Sequence, residues 1–303
     1  MLWYECFDQK AAQVLPELTV EHDVPMQRHT SFHIGGPARR MAFPATRQQL
    51  VTLMELAAAC GVRPFILGKG TNLLVADEGL DTLVIKVAEH MNEIRQLDEV
   101  TLEADVGISL ARLAVFAQQR GLAGLEFAHG IPGSLGGAVY MNAGAYGGEM
   151  KQVVTEVTAL YQDGIRCLSG EEAEFSYRHS IFSDGDAVIL GARLRLSKDD
   201  PAAIRQRMDD LMTRRKQSQP LEYPSAGSTF KRPTGYYAGP LIEQAGLKGF
   251  TIGGAQVSQK HAGFVINVGE ATCADVTELI RQVQQRVYSQ SGVCLEPEVK
   301  IIR

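Results

Sequence analysis

Residues 124–149 read GLEFAHGIPGSLGGAVYMNAGAYGGE and are rich in both glycine and apolar residues. Isoleucine, leucine, valine, tyrosine and methionine lie between the glycines, whereas a flexible linker would be polar. We therefore expect a packed segment. Glycine allows tight turns and a close approach of the backbone to a ligand. A long ligand such as a dinucleotide would fit against this backbone, and the alternative is a series of tight turns between core elements.

Glycine is frequent in the whole chain as well: it accounts for 30 of the 303 residues, against an average of ~7%. Nine of these glycines lie between Gly121 and Gly148. Hydrophobic residues make up 45% of the chain and charged residues 21%, which is typical of a soluble globular protein and excludes a disordered or fibrous one. The length allows two or three domains.

The charge and the N-terminus argue against nucleic acid and membranes as partners. The formal net charge is -5, so no basic field would attract nucleic acid or an anionic membrane surface. The first residues, MLWYECFDQK, lack the basic and apolar regions of a signal peptide. No run approaches the ~18 apolar residues of a membrane helix. We therefore expect a cytoplasmic protein.

Cysteines and histidines show no disulfide or metal pattern. The five cysteines are scattered and form no CxxC motif, which predicts neither a disulfide framework nor a zinc site. We expect free thiols, as is usual in a reducing cytosol. The seven histidines lack metal-ligand spacing, so no metal is expected. The cysteines are Cys6, Cys60, Cys167, Cys273 and Cys294.

Short strands alternate with capped helices along the chain. Capping residues before apolar stripes predict helices over 46–61 and 109–121 and from near Thr272, and a further helix begins near Pro201. Apolar and alternating runs predict strands over 64–67, 72–75, 82–87, 100–106, 154–160 and 187–196 and at EVKII. The segment SKDDP predicts a domain boundary near residue 198, and a weaker boundary falls near residue 80.

The motif LGKGTNLL, residues 67–74, directly follows a predicted strand. Gly68 and Gly70 free the backbone, and successive N–H groups in such a turn form an anion-binding nest. The spacing does not match a P-loop, and Leu73 stands where a dinucleotide fingerprint has its third glycine. The motif therefore indicates an anion site, with a plain tight turn as the alternative.

The motif FSYRHSIF, residues 175–182, places Arg178 among aromatic residues without an adjacent acid. A partly buried arginine needs an anionic partner, because an unpaired charge is costly away from water. A substrate carboxylate bound through both ends of the guanidinium would provide that partner. The alternative is a surface arginine whose stem packs on the protein.

Two further motifs carry candidate proton donors. PSAGSTFKRP, residues 224–233, holds Ser228 in a loop with proline at both ends, and a turn serine is the alternative. Ser228 and Lys231 also match the SxxK pattern of penicillin-recognising enzymes, but the KTG and SDN motifs are missing. LEPEVKII near the C-terminus offers Glu298 as a general acid, or as part of a surface face with Lys300.

In this order, the motifs resemble those of the UDP-N-acetylenolpyruvoylglucosamine reductase (MurB) family. Each motif alone is modest, but the ordered set is specific and extends over most of the chain. There is little room for the extra tyrosine-bearing loop of one subgroup, so the chain resembles the shorter, type II form. The matching segments are TSFHIGGPA, LGKGTNLLVADEG, GIPGSLGGAVYMNAGAYGGE, YRHSIF, PSAGSTFK, AGPLIEQAGLKG, GGAQVSQKHAGFVIN and PEV.

The resemblance implies an α+β chain with a PCMH-type FAD-binding fold in two subdomains and a C-terminal α+β substrate domain. The subdomains would be residues 1–80 and 81–197, and the substrate domain residues 198–303. FAD would be bound noncovalently, NADPH would be the reductant, and the protein would be a monomer. The implied reaction converts UDP-N-acetylglucosamine enolpyruvate to UDP-N-acetylmuramate in peptidoglycan precursor synthesis.

Matched motif by motif, the resemblance implies Arg178, Ser228 and Glu298 as the catalytic residues. Hydride would pass from flavin N5 to the terminal vinyl carbon, and negative charge would develop on the neighbouring carbon and its carboxylate. Arg178 and a protonated Glu298 would stabilise that charge. Ser228 would then donate a proton to the carbanionic carbon. This mechanism requires the three side chains to converge in space.

The same matching implies residues that bind the two ligands. Substrate contacts fall on Tyr146, Lys216, His261 and Lys300. Some members have glutamine and arginine in place of His261 and Lys300, and asparagine in place of Arg232. The implied FAD-binding residues are Leu67, Gly68, Lys69, Gly70, Thr71, Asn72, Leu73, Gly130, Ile131, Pro132, Gly133, Ser134, Gly136, Gly137, Asn142 and Gly144.

Three other functions remain open. A PCMH-type flavin oxidase acting on a sugar alcohol or hydroxy acid with oxygen would often hold its flavin covalently, so release of free FAD on denaturation counts against it. A noncatalytic nucleotide-binding regulator would leave Arg178, Ser228 and Glu298 without a role, and it would be colourless. An SxxK acyl transferase would be labelled at Ser228 by a β-lactam.

Overall fold

The computed structural model describes residues 2–88 and 90–303. Helices and strands are mixed throughout, which confirms the predicted α+β class. The chain forms two compact units, each assembled from separate stretches, and the three consecutive domains expected from the sequence stay a prediction. The first unit comprises Met1–Glu21, Arg40–Lys69 and Thr82–Arg215, and the second comprises His22–Arg39, Gly70–Asp81 and Lys216–Arg303.

Helices and strands have the following bounds. The helices are α1 (Trp3–Val14), α2 (Arg47–Ala59), α3 (Leu110–Gln118), α4 (Glu126–His129), α5 (Leu135–Tyr140), α6 (Pro201–Ser218), α7 (Ala238–Gln244) and α8 (Cys273–Ser291). The strands are β1 (Val20–Pro25), β2 (Pro37–Ala42), β3 (Phe65–Leu67), β4 (Leu73–Val75), β5 (Leu80–Lys86), β6 (Ile94–Gln96), β7 (Thr101–Asp105), β8 (Leu122–Ala123), β9 (Gly144–Ala145), β10 (Gly148–Glu149), β11 (Val154–Tyr161), β12 (Gly164–Ser169), β13 (Val188–Arg195), β14 (Ser197–Lys198), β15 (Ser225–Ser228), β16 (Thr251–Ile252), β17 (Ala255–Val257), β18 (Phe264–Asn267) and β19 (Lys300–Ile302).

Three helices begin at the capping residues predicted from the sequence. Thr46 Oγ1 accepts a hydrogen bond from the Gln49 N–H at 3.1 Å, which caps α2. Ser109 and Thr272 cap α3 and α8 in the same way. Each side chain satisfies an N–H group that has no partner inside its helix. These starts are confirmed because they depend on contacts within a few residues.

An antiparallel sheet with the strand order β12-β11-β13-β7-β6 organises the first unit. In the same unit β3 pairs in parallel with β5. Phe7, Leu50, Leu113 and Leu190 are fully buried in its core. Burying such a side chain contributes about 1.5–3 kcal/mol.

The second unit combines the antiparallel sheet β15-β18-β17-β16 with α7 and α8. The predicted apolar stripe of α8 is confirmed, since Val276, Leu279, Val283 and Val287 are buried. In this unit β4 also pairs in parallel with β19. Among the described residues, no helix has the length and apolar character that crossing a membrane requires.

A disulfide joins Cys6 to Cys60, with the two Cα atoms 5.8 Å apart. The expectation of free thiols is therefore wrong for this pair, while Cys167, Cys273 and Cys294 are free. The pair has no spacing motif because 54 residues separate its members. They meet because α1 packs against α2, with buried residues of both helices in one core. A tertiary contact of this kind leaves no local sequence signal.

Opening this disulfide should destabilise the protein. In the chain-entropy model, a crosslink across 54 residues constrains the unfolded chain by up to about 4 kcal/mol. We expect Cys6→Ser, or a thiol reductant, to lower the free energy of unfolding by about 2–4 kcal/mol in urea titrations. Cys167→Ser is the matched control and should change nothing. Equal stability with and without reductant would contradict the prediction.

Candidate active site

The first glycine motif meets the long glycine-rich stretch inside the first unit. Leu67 ends β3, and a Cβ atom on the next residue, Gly68, would collide with Ser134 Oγ. Ser134 is 1% exposed, and its hydroxyl has no hydrogen-bond partner among the described residues. A buried hydroxyl without a partner costs about 1–3 kcal/mol. The geometry therefore suits a ligand whose oxygen atoms reach this hydroxyl.

The glycine-rich stretch is packed, as predicted, and its backbone is held by residues 106–110. The Leu110 N–H donates to Gly133 O at 3.0 Å, and the Leu135 N–H donates to Ile108 O at 2.9 Å. The Gly136 N–H donates to Val106 O at 2.9 Å. These bonds fix the segment between α4 and α5 against the segment that precedes α3. A ligand would meet a preformed backbone there.

The same motif continues into the second unit, from Gly70 to Leu73. Gly70 has a φ of +64°, and a Cβ atom there would collide with the carbonyl group of His29. The Asn72 side-chain amide donates to Glu298 O at 3.1 Å. The Lys300 N–H donates to Asn72 O at 3.0 Å, and β4 and β19 continue this pairing. The motif is thus joined to Glu298 and to β19, which begins two residues after it.

Ser228 and Glu298 lie on neighbouring backbone segments of the second unit. The Glu298 N–H donates to the carbonyl of Thr229, the residue after Ser228, at 2.8 Å. The Lys231 N–H donates to Glu296 O at 2.8 Å, so the two segments run side by side. Ser228 is exposed and Glu298 is half-buried. The structure therefore brings two of the three predicted catalytic residues together.

Arg178, the third predicted catalytic residue, lies in the first unit on a tight turn. Ser176 and His179 exchange backbone hydrogen bonds, and Arg178 between them has a φ of +57°. Its Nη2 donates to Gly144 O at 3.2 Å, and its guanidinium lies 5.2 Å from the centre of the Tyr177 ring. The side chain is half-buried. These contacts hold its charge at a defined place beside the glycine-rich stretch.

Asn142 is buried, and its side chain bonds to the protein itself. Its amide donates to Ser176 O at 2.9 Å and to Glu149 Oε2 at 3.0 Å. Its Oδ1 accepts from the Lys151 N–H at 2.9 Å. These bonds tie the turn that carries Arg178 to the end of the glycine-rich stretch.

Tyr146 lies at the tip of the hairpin formed by β9 and β10. Tyr146 and Gly147 both have a positive φ, as a two-residue type I′ turn requires. The ring is 39% exposed, and the guanidinium of Arg214 lies 5.1 Å from its centre. The turn presents this aromatic side chain to solvent at a fixed position in the first unit.

The other three predicted substrate residues lie in the second unit. His261 Nδ1 accepts from the Gly263 N–H at 3.1 Å, and its ring packs edge-on against Phe264. Burial lowers the pKa of His261 below its ordinary value. Lys216 is exposed, and its carbonyl accepts from Lys260 Nζ at 2.8 Å. Lys300 is exposed on β19.

Two residues at the glycine-rich stretch, His129 within it and Arg215 next to it, were not predicted as site residues. His129 Nδ1 is buried with no hydrogen-bond partner among the described residues, and burial lowers the pKa of this histidine. Arg215 lies on α6 next to Gly130. The sequence contains only weak signals for them. His129 directly precedes Gly130. Arg215 belongs to a basic run at a predicted helix C-terminus, where the helix dipole favours basic residues without any ligand.

Comparison with known proteins decides the family. The model of the "UDP-N-acetylenolpyruvoylglucosamine reductase, C-terminal domain" matches residues 219–302, and a model of the "FAD binding domain" matches residues 38–167. The reductase of Agathobacter rectalis is 47% identical, over 98% of either chain. The chain belongs to the UDP-N-acetylenolpyruvoylglucosamine reductase family.

Other members of the reductase family agree with this placement. The reductase of Caldanaerobacter subterraneus subsp. tengcongensis is 48% identical over 98% of both chains. The crystal structure of the reductase from Thermus caldophilus superimposes with a TM-score of 0.81 at 35% identity, over 94% of this chain and all of that one. The chain is thus a flavoprotein oxidoreductase of peptidoglycan precursor synthesis, in a family whose cofactor is FAD and whose reductant is NADPH.

The residues present fit FAD. The contact between Gly68 and Ser134 leaves a buried hydroxyl free for a ligand oxygen, and glycine at position 68 keeps that place open. Both residues belong to the part of the chain that matches the FAD-binding domain. The sequence-based expectation of FAD is confirmed, while the individual binding residues stay predictions.

Proposed function

We propose that this protein catalyses the NADPH-dependent reduction of UDP-N-acetylglucosamine enolpyruvate to UDP-N-acetylmuramate. One observation carries the proposal beyond family membership. Ser228 and Glu298 come from motifs far apart in the sequence, yet the Glu298 N–H bonds to the residue after Ser228 at 2.8 Å. A serine and a glutamate on neighbouring backbone segments suit a reaction that needs a proton donor and a second polar group.

Each of the three catalytic residues has a separate role in this proposal. Bound FAD supplies the two-electron redox chemistry. Arg178 offers a permanent positive charge to the negative charge that develops on the substrate carboxylate. Glu298 in protonated form hydrogen-bonds the same developing charge. Ser228 is exposed and donates its proton to the carbon next to the carboxylate.

Among the cofactor residues proposed from the sequence, Ser134 and the glycines beside it gain support from the structure. The orphaned Ser134 hydroxyl and the glycine backbone beside it suit a phosphate oxygen. Asn142 acts through the backbone, since its side chain is used to hold Ser176 and Lys151. We place it as a positioning residue for the turn of Arg178.

The substrate residues share one feature that supports the proposal: three of the four are exposed and carry no ion pair among the described residues. These three are Tyr146, Lys216 and Lys300. Lysine ammonium groups suit the diphosphate of a UDP-sugar. Burial favours a neutral His261, which can donate a hydrogen bond without adding charge. A monomeric, cytoplasmic enzyme remains our expectation.

None of the three rival functions is favoured by an observation. The acyl transferase would need Lys231 as a base for Ser228, yet its ammonium group pairs with Glu296. A regulator without catalysis would not need Ser228 and Glu298 on neighbouring backbone segments. A flavin oxidase remains the rival that an experiment must separate, because it shares the FAD-binding fold.

The deciding experiment measures NADPH oxidation by the purified protein. We expect a yellow protein that releases free FAD on denaturation and oxidises NADPH only when the enolpyruvyl UDP-sugar is present. The product should be UDP-N-acetylmuramate. NADPH oxidation that needs oxygen and ignores the UDP-sugar would contradict the proposal and favour the oxidase.

A further inference from the structure

Arg215 is a cation without a carboxylate partner. Its side chain is half-buried, and among the described residues no acidic group pairs with it. Other arginines of α6 differ: Arg205 pairs with Asp209, and Arg207 pairs with two carboxylates. Burial lowers the pKa of Arg215, and among the described residues only Tyr146 opposes this effect. A charge that is partly removed from water and has no carboxylate in contact favours an anion from outside the protein chain.

The glycine-rich stretch lies directly beside this guanidinium. A Cβ atom on Gly130 would stand 3.2 Å from Arg215 Cδ and 3.8 Å from its Nη1. The segment from Gly130 leads within four residues to Ser134, whose buried hydroxyl also lacks a partner. One backbone segment is thus bordered by an unpaired cation and by an unpaired hydroxyl. Both groups suit the same kind of ligand, an anion with several oxygen atoms.

We propose that Arg215 supplies the positive charge that neutralises the diphosphate of FAD on the Gly130–Ser134 segment. This segment lies within the match to the FAD-binding domain, whereas Arg215 lies in residues 168–218, outside both matched domains. Helix α6 therefore completes a cofactor site whose recognised part ends earlier in the chain. The UDP-sugar also carries a diphosphate, so the test must distinguish the two ligands.

The test compares FAD binding to full-length variants stripped of FAD, followed by flavin fluorescence. We expect Arg215→Gln to weaken FAD binding by about tenfold to a hundredfold, since it removes a charge-assisted contact to phosphate. Arg215→Lys keeps the charge but loses the planar fork of the guanidinium. Its affinity for FAD should therefore lie between those of the unmodified protein and Arg215→Gln. Arg205→Gln removes a paired arginine from the same helix and should bind FAD like the unmodified protein.

A second readout separates ligand binding from a structural role. Without FAD, Arg215→Gln should melt at the same temperature as the unmodified protein or higher, because a half-buried charge that pairs with no described carboxylate has been removed. Unchanged FAD affinity would overturn the proposal. So would a fall in UDP affinity of the FAD-loaded variant with FAD affinity unchanged, since Arg215 would then serve the substrate. If Arg215→Gln does not fold, Arg215→Lys takes its place: weaker FAD binding supports the proposal, and unchanged FAD binding overturns it.

Discussion

Replacing Ser228 by alanine should lower turnover by about a hundredfold to ten-thousandfold, the range of a lost general acid. The loss of flavin absorbance on adding NADPH should stay unchanged, because no proton from Ser228 is needed before the enolpyruvyl substrate arrives. The geometry supports this separation of effects. The hydroxyl is exposed at the end of β15, beside the segment that carries Glu298, so its removal should leave the fold intact.

Rapid-mixing kinetics of the Ser228→Ala variant measures the two half-reactions separately: reduction of the flavin by NADPH, and reduction of the enolpyruvyl substrate. Ser225→Ala is a matched control, because Ser225 lies on the same strand and engages Ser31 through its backbone carbonyl. That variant should turn over like the unmodified enzyme. If Ser228→Ala lost both half-reactions, Ser228 would be a structural residue and not the proton donor. If it lost neither, another group must donate the proton.

Replacing Arg178 by glutamine should lower kcat by about a hundredfold to a thousandfold, as does loss of one preorganised group at a developing negative charge. The turn between Ser176 and His179 and the bond to Gly144 O hold the guanidinium in place before substrate binds. Arg178→Lys should restore little of the rate. A lysine keeps the charge but lacks the planar fork that can bond a carbonyl and a carboxylate together.

Steady-state kinetics with a thermal unfolding control measures this effect. Arg166→Gln removes an exposed arginine of the first unit that pairs with Asp163, and it should change neither kcat nor stability. Arg178→Gln should also keep its melting temperature, because its charge is not part of the core. A rate close to that of the unmodified enzyme would remove Arg178 from the mechanism. Full recovery in Arg178→Lys would leave charge alone as its contribution.

Features that depend on a few neighbouring residues were predictable from the sequence. Thr46, Ser109 and Thr272 cap helices through hydrogen bonds within three residues, and the apolar stripe of α8 follows from its period. The packed character of the glycine-rich stretch also followed, because its apolar residues had to be buried. The ordered motifs indicated the family, and the comparisons confirm it.

Features that join distant residues were not predictable in the same way. The parallel pairing of β4 with β19 aligns Leu73 with Lys300, and the disulfide joins Cys6 to Cys60. An asparagine such as Asn142 gives no signal of its own in the sequence. Only its hydrogen bonds in the folded protein show that it holds the turn of Arg178. Such contacts depend on how whole elements pack, and no local pattern of residues encodes them.

Glycine spacing, helix caps and apolar periods thus specified the local structure and the family, because each acts through the backbone within one or two turns. Packing of the folded chain decided the rest. It brought the segments of Ser228 and Glu298 together and placed Arg215 next to Gly130. Among the described residues it left the Ser134 hydroxyl without a hydrogen-bond partner and Arg215 without a carboxylate. The burial of a side chain and its hydrogen-bond and ion-pair partners depend on the residues around it. Many of those residues are distant in the sequence and come close only when the chain folds.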